Sequence, residues 1–182
     1  MILVISYRNG IQIYLDDGKA TGFVKPYEND RYSFAAMLPN EGISIDEYIE
    51  TLTGAELIST INNAEKTAVY TSMPKFSYEY EIQLNNALIS LGMPDAFDGG
   101  KADFSKMAVN NGDSLFISEV LHKTYITVDE LGTKAGAVTK VAMFRGANPI
   151  YEKTVVLDRP FVYAIIDNAT SLPVFIGTVM MV

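Results

Sequence analysis

The stretch that decides the fold lies at the end of the chain: Phe161-Val162-Tyr163-Ala164-Ile165-Ile166, then Asp167 to Pro173, then Val174-Phe175-Ile176-Gly177-Thr178-Val179-Met180-Met181-Val182. Two runs rich in β-branched and aromatic residues flank a segment of turn formers. This composition predicts a strongly apolar β-hairpin. Working outward, Val155–Leu157 reads as a short strand. Gly132 to Pro149 is small and polar, with no clear period. Ser114–Val128 reads as a long strand.

Further upstream, Thr67–Met73 and Phe76–Ile82 read as strands on either side of Pro74. Ala20–Tyr27 and Tyr32–Leu38 form another pair around Glu28-Asn29-Asp30-Arg31. Asp16-Asp17-Gly18 is a turn, and Asn9-Gly10 between Ile2–Ile5 and Ile11–Leu15 is a hairpin signal. Helices sit between the strands. Ser44 with Glu47 is a capping box, and Ile45, Tyr48, Ile49 and Leu52 then line one face. Gly54 stops that helix. Leu57, Ile58 and Ile61 predict a second helix, and Leu84, Ala87, Leu88 and Leu91 a third that ends at Gly92 and Pro94. Asp95 to Gly112 reads as loop, with one turn near Phe104–Met107. Strands dominate and helices cluster between them, so the predicted class is α+β.

The chain has 182 residues, enough for one core, with 48% hydrophobic and 20% charged residues. Its net charge of −8 argues against a nucleic-acid partner. There is no cysteine, which excludes disulfides, thiolate metal sites and a cysteine nucleophile. No run reaches the ~18 apolar residues of a membrane helix, and Met1 to Leu15 lacks the layout of a signal peptide.

Catalytic and metal motifs do not assemble. Ser72-Met73-Pro74-Lys75 fits S-x-x-K, but its partner motifs are absent and it falls on a strand. Gly100-Lys101 lacks the hydroxyl residue and upstream glycine of a phosphate loop. Asp95, Asp98 and Asp103 do not have calcium-loop spacing. His122 is the only histidine and has no nucleophile to activate; on general grounds it reads as a buried, hydrogen-bonded strand residue. The chain therefore reads as a non-enzyme with no cofactor and no metal.

Three segments carry a family resemblance. The first is Met73-Pro74-Lys75-Phe76, Leu88 to Phe97, and Lys101-Ala102-Asp103-Phe104-Ser105. The second is His122-Lys123 through Glu130-Leu131-Gly132-Thr133-Lys134-Ala135. The third is Asp158-Arg159-Pro160-Phe161 with Phe175-Ile176-Gly177. Together with Tyr14–Tyr27 and Leu38-Pro39-Asn40-Glu41-Gly42 they span most of the chain in order. They resemble the C-terminal half of a bacterial-type serpin. The resemblance implies a partial serpin fold over residues 1–182: sheet B, part of sheets A and C, helices G, H and I, and a reactive-centre loop at about 132–152, with the N-terminal half missing.

The resemblance also implies a function: inhibition of serine endopeptidases, or alternatively cysteine endopeptidases, by loop cleavage and insertion into sheet A. The loop can be checked against that demand. In a strand, Thr133, Ala135, Ala137 and Thr139 point one way, and Lys134, Gly136, Val138 and Lys140 the other. The first set is small and uncharged, so it can enter a sheet without overpacking or burying a charge. Glu130 and Gly132 complete the hinge by resemblance. Leu131 and Lys134 depart from the family pattern without blocking insertion.

The family's spacing from Glu130 points to Arg145 or Gly146 as the reactive position. Arg145 suits a protease pocket floored by a carboxylate, hence a trypsin-like partner; Met143 or Phe144 would suit an apolar pocket. His122 gains a shutter role by analogy. Three alternatives frame the expectation. The chain works with a complementary N-terminal half; it is a non-inhibitory truncated remnant, a protease substrate or self-associating strand module; or it is a β-rich binding module without a protease link. A secreted or cell-surface setting is expected from the family alone.

Overall fold

The computed structural model describes residues 4–7, 11–28, 30–107, 115–129, 132–133 and 151–180. In chain order these form β1 (Val4–Tyr7), β2 (Ile11–Asp16), β3 (Ala20–Pro26), β4 (Tyr32–Pro39), α1 (Ile45–Thr51), α2 (Gly54–Asn62), β5 (Glu65–Pro74) and β6 (Phe76–Gln83). They continue with α3 (Asn85–Ser90), a 3-10 turn at Asp95–Phe97, β7 (Leu121–Asp129), β8 (Gly132–Thr133), β9 (Lys153–Val156), β10 (Phe161–Asp167) and β11 (Leu172–Val179). The α+β expectation holds. The residues divide into two compact units: Met1–Phe76 with Thr127–Val182, and Ser77–Ile126.

The first unit is built on a sheet with the strand path β1-β5-β2-β3-β4-β10-β11, to which β9 adds in parallel on β5. The C-terminal hairpin forms as its composition predicts, with Phe161 opposite Val179 and Asp167 opposite Leu172. One face of the sheet carries Leu15, Ala20, Val24, Ala35, Met37 and Ala164, packed with Ile45 and Tyr48 of α1. The other face is aromatic. Tyr163 stacks on Phe34 at 6.1 Å and on Phe175 at 6.0 Å, and Phe76 meets Tyr163 at 5.4 Å. Period-2 alternation along β4 and β10 supplies both faces from one strand pair.

Between β3 and β4 the backbones approach closely at Gly22. A Cβ there would overlap the Ala36 carbonyl oxygen and come within 2.7 Å of the Met37 sulfur. Only glycine fits.

Helices α1 and α2 each start with a reciprocal capping box. Glu47 N–H donates to Ser44 Oγ at 3.2 Å while Ser44 N–H donates to Glu47 Oε2 at 2.9 Å. Thr53 and Glu56 repeat the arrangement at the same two distances. Each box satisfies two N–H groups that a helix start leaves open. It also holds the Glu47 and Glu56 carboxyls below their usual range, chiefly through the backbone hydrogen bond each accepts.

Asn9 and Gly10, where a hairpin is expected, lie outside the described residues. Among the described residues β1 and β2 pair not with each other but with β5, both antiparallel, with Val4 opposite Pro74 and Ile11 opposite Ala68. The ten-residue β5 is long enough to accept both segments end to end, and that ladder wins over the local turn signal.

In the second unit, α3 follows β6 and the chain returns along β7. The strand predicted over Ser114–Val128 is shorter at its start, since Leu115–Val120 is irregular. Local bonds occupy that backbone instead. Asn85 Nδ2 donates to the Ser118 carbonyl at 2.9 Å, Val120 N–H donates to Asn85 Oδ1 at 2.8 Å, and Ile117 N–H donates to the Ala96 carbonyl at 2.9 Å. One asparagine side chain thus replaces ladder partners across two residues. In α3 no residue is buried, although Leu84, Leu88 and Leu91 in and beside it have helical spacing.

Candidate functional site

The predicted hinge follows β7, whose last residues pair back with β8. Val128 lies opposite Thr133, and Asp129 opposite Gly132. The backbone of Gly132 and Thr133 is thus extended, as strand alternation requires. Glu130, Ala135, Ala137 and Thr139 lie outside the described residues, as do the reactive-bond candidates Arg145 and Gly146 and the alternates Met143 and Phe144. After the loop segment, β9 joins the sheet parallel to β5, with Lys153 opposite Val69 and Val156 opposite Ser72. Leu157 N–H donates to the Ser72 carbonyl at 2.8 Å and extends that register by one bond. Both ends of the loop segment are thus fixed in strands of the first unit.

His122 sits on β7, as expected for a strand histidine, but its side chain is exposed rather than buried. The reading of a buried core histidine is therefore corrected. Flanking residues of β7 are also on the surface: Leu121 is 54% and Tyr125 60% exposed. Within the second unit Lys123 Nζ lies 2.9 Å from Glu81 Oε2, and the Ser77 and Tyr125 hydroxyls meet at 3.4 Å.

The rejected motifs stay apart from any chemistry. Ser72 lies inside β5 and is buried. Asp98 Oδ1 accepts from Gly100 N–H at 2.8 Å, and Asp103 Oδ1 from Ser105 Oγ at 2.6 Å. These carboxylates close loop turns. Among the described residues no group of His, Asp or Glu side chains is placed to hold a metal ion, and no helix is long and apolar enough to cross a membrane.

One feature carried no sequence signal: an open cleft of about 310 Å³ lined by Asp16, Asp17, Tyr48, Thr51 and Glu56 among others. Its side chains come from a turn and two helices, so no linear motif could reveal it. Its carboxylates are committed locally. Asp17 Oδ1 accepts from Lys19 N–H at 2.9 Å and Ala20 N–H at 2.6 Å, and Asp17 Oδ2 accepts from the Tyr48 hydroxyl at 2.7 Å.

The signature Asp158-Arg159-Pro160-Phe161 has a visible structural task. Arg159 Nη2 donates to the Pro39 carbonyl at 2.8 Å, while Nη1 reaches Asp158 Oδ1 at 3.1 Å. The guanidinium ties the β9–β10 connection to the end of β4. Phe161 is fully buried beside it.

The family profile described as Serpin (serine protease inhibitor) matches residues 5–182. The chain belongs to the serpin family. It superposes on the native state of the thermophilic serpin tengpin with a TM-score of 0.88 and 54% sequence identity, over 100% of this chain and 46% of that one. It is 31% identical to an uncharacterized serpin-like protein of Thermococcus kodakarensis, over 99% of this chain and 42% of the relative. It is 34% identical to leukocyte elastase inhibitor A of Mus musculus, over 91% of this chain and 45% of that protein. The chain therefore spans less than half the length of the serpins it matches. In that family it is a partial serpin fold, and serpins are protease inhibitors rather than catalysts.

Proposed function

We propose that the chain takes part in serpin-type inhibition of a trypsin-like serine endopeptidase, together with a polypeptide supplying the rest of the serpin fold. The observation that carries this reading is the small, uncharged face of Thr133, Ala135, Ala137 and Thr139, directly after β7, in a member of the serpin family. The protease serine attacks the Arg145 carbonyl, forming an ester to Arg145 and releasing the Gly146 amine. The freed segment after Glu130 then enters a sheet beside β7. Its inward residues add little volume and no charge. His122, on the same strand, is given a shutter role by the family resemblance.

Incubation with trypsin tests this, with and without a polypeptide that covers the remaining length of a tengpin-like relative. An SDS-stable covalent complex in the presence of that partner is expected. Cleavage between Arg145 and Gly146 with no complex in either mixture would instead support the second reading, a truncated protease substrate.

A further inference from the structure

We infer that Lys25 is a covalent capture site for aromatic aldehydes, its amine condensing with the aldehyde carbon to give an imine held beside Phe23 and Phe34. Lys25 is the second-last residue of β3. Across the ladder it faces Phe34 of β4, and Phe23 sits two positions back, opposite Ala36. Residues two apart, and residues directly opposite, share one face of a sheet. The lysine therefore stands on the aromatic face, with its Nζ 5.7 Å from the centroid of the Phe23 ring. The rings around it are closed in by this chain's own residues. Phe23 is fully buried, and Phe34 is buried and stacks on Tyr163. Lys25 itself is half-buried, so its amine is set among rings yet reachable.

This placement decides the chemistry of the amine. An ammonium loses hydration beside aromatic rings, and burial pushes the Lys25 amine down to about 7. About half of it is then free base at about pH 7, against less than about one part in a thousand for an ordinary lysine near ~10.4. The free base carries the lone pair that attacks a carbonyl carbon, which is how desolvated lysines form Schiff bases. Other lysines stand differently. Lys123 Nζ lies 2.9 Å from Glu81 Oε2, and Lys101 Nζ lies within 3.9 Å of both Asp95 and Asp98. Their ammonium groups face carboxylates rather than rings.

The class of partner follows from charge and shape. In the condensation the C–N bond forms, and the carbonyl oxygen leaves as water with both protons of the amine. The imine is neutral, so the charge that burial disfavours is gone. Addition of carbon dioxide would instead set a carbamate anion against the same rings. An aryl group on the aldehyde gains offset or edge contacts with Phe23 and Phe34 that an alkyl group lacks. An anionic aldehyde would be repelled by a chain of net charge −8. The site uses no loop residue, so it is independent of the inhibitor reading.

Reductive trapping tests it. The full chain is treated with benzaldehyde and cyanoborohydride at about pH 7, digested and mapped by mass spectrometry, with propanal in parallel. Lys25 should carry the benzyl group about tenfold or more ahead of Lys101 and Lys123. Its yield relative to theirs should favour benzaldehyde over propanal by about threefold or more. Both preferences should vanish in concentrated urea. Lys25→Arg, which keeps a cation but cannot form an imine, should remove the fast-reacting fraction. Labelling of Lys25 no faster than of Lys101 and Lys123 would overturn the site. The same benzaldehyde-to-propanal ratio at all three lysines would overturn the aromatic class. A preference that survives urea would overturn the inference as well, because the fold would then not be its cause.

Discussion

The Tyr48 hydroxyl donates a 2.7 Å hydrogen bond to Oδ2 of Asp17, joining α1 to the turn between β2 and β3. Tyr48 is buried, at 1% exposure, and burial followed by the Asp17 bond pushes its phenol well above the usual tyrosine range. The same carboxylate caps the turn through Lys19 and Ala20. Tyr48→Phe removes one donor from a charged acceptor and should cost about 1–2 kcal/mol. Urea unfolding checks this, and an unchanged midpoint would show that solvent replaces the bond without loss.

Lys25 gives a pH prediction. Burial pushes its amine down to about 7, and its ammonium lies 5.7 Å from the Phe23 ring centroid. The unfolded chain keeps an ordinary lysine value near ~10.4. Between these values the unfolded state binds more protons than the folded one, so stability rises with pH from about 7 towards ~10. Below about pH 7 the folded state holds the charge on a half-buried side chain. Lys25→Met should flatten this slope and raise stability by about 1–3 kcal/mol at pH 6. Thermal melts at several pH values would contradict it if wild type and variant ran parallel.

Gly22→Ala should be among the most damaging single changes. The new methyl group would collide with backbone at Ala36, which cannot swing aside as a flexible side chain can. Separation of β3 from β4 would break the centre of the sheet. A loss of about 3 kcal/mol or more is expected, read as a lower urea midpoint or failure to recover soluble chain.

The two faces of the loop make a paired prediction for inhibition. Ala137→Arg puts a charge on the face that must become buried, whereas Val138→Arg puts it on the face that can stay wet. With the complementary polypeptide present, Ala137→Arg should lose the SDS-stable complex about tenfold or more while the loop is still cut. Val138→Arg should retain it. Equal behaviour of the two variants would remove the alternation argument.

Local signals were legible where one short segment decides the outcome. Ser44 with Glu47 marked the start of α1, and the apolar runs around Asp167–Pro173 marked the last hairpin. Thr53 with Glu56 carries the same signal, and Gly54, which ends the first apolar face, is also the first residue of α2. Errors arose where partners distant in sequence compete with a local preference. Asn9-Gly10 favours a turn, yet β5 pairs with both neighbouring segments. Leu115–Val120 has strand composition, yet the Asn85 side chain takes the Ser118 carbonyl and the Val120 N–H. For His122 the residue type suggested burial, but exposure depends on what else packs there. Alternation in the hinge is a property of sequence alone, and Glu130, Ala135, Ala137 and Thr139 lie outside the described residues.

The register of β9 on β5 sets what a proteolytic cut would leave behind. The stretch that follows Arg145 runs into β9, then β10 and β11, and β10 is held between β4 and β11. Phe161, Tyr163 and Ile166 of that stretch are buried. Breaking the peptide bond after Arg145 would therefore sever the covalent chain without releasing either fragment. The nicked molecule would migrate as one body in native conditions and as two only in detergent. Its strands β9 to β11 would remain a noncovalent subunit of the protein from which they were cut.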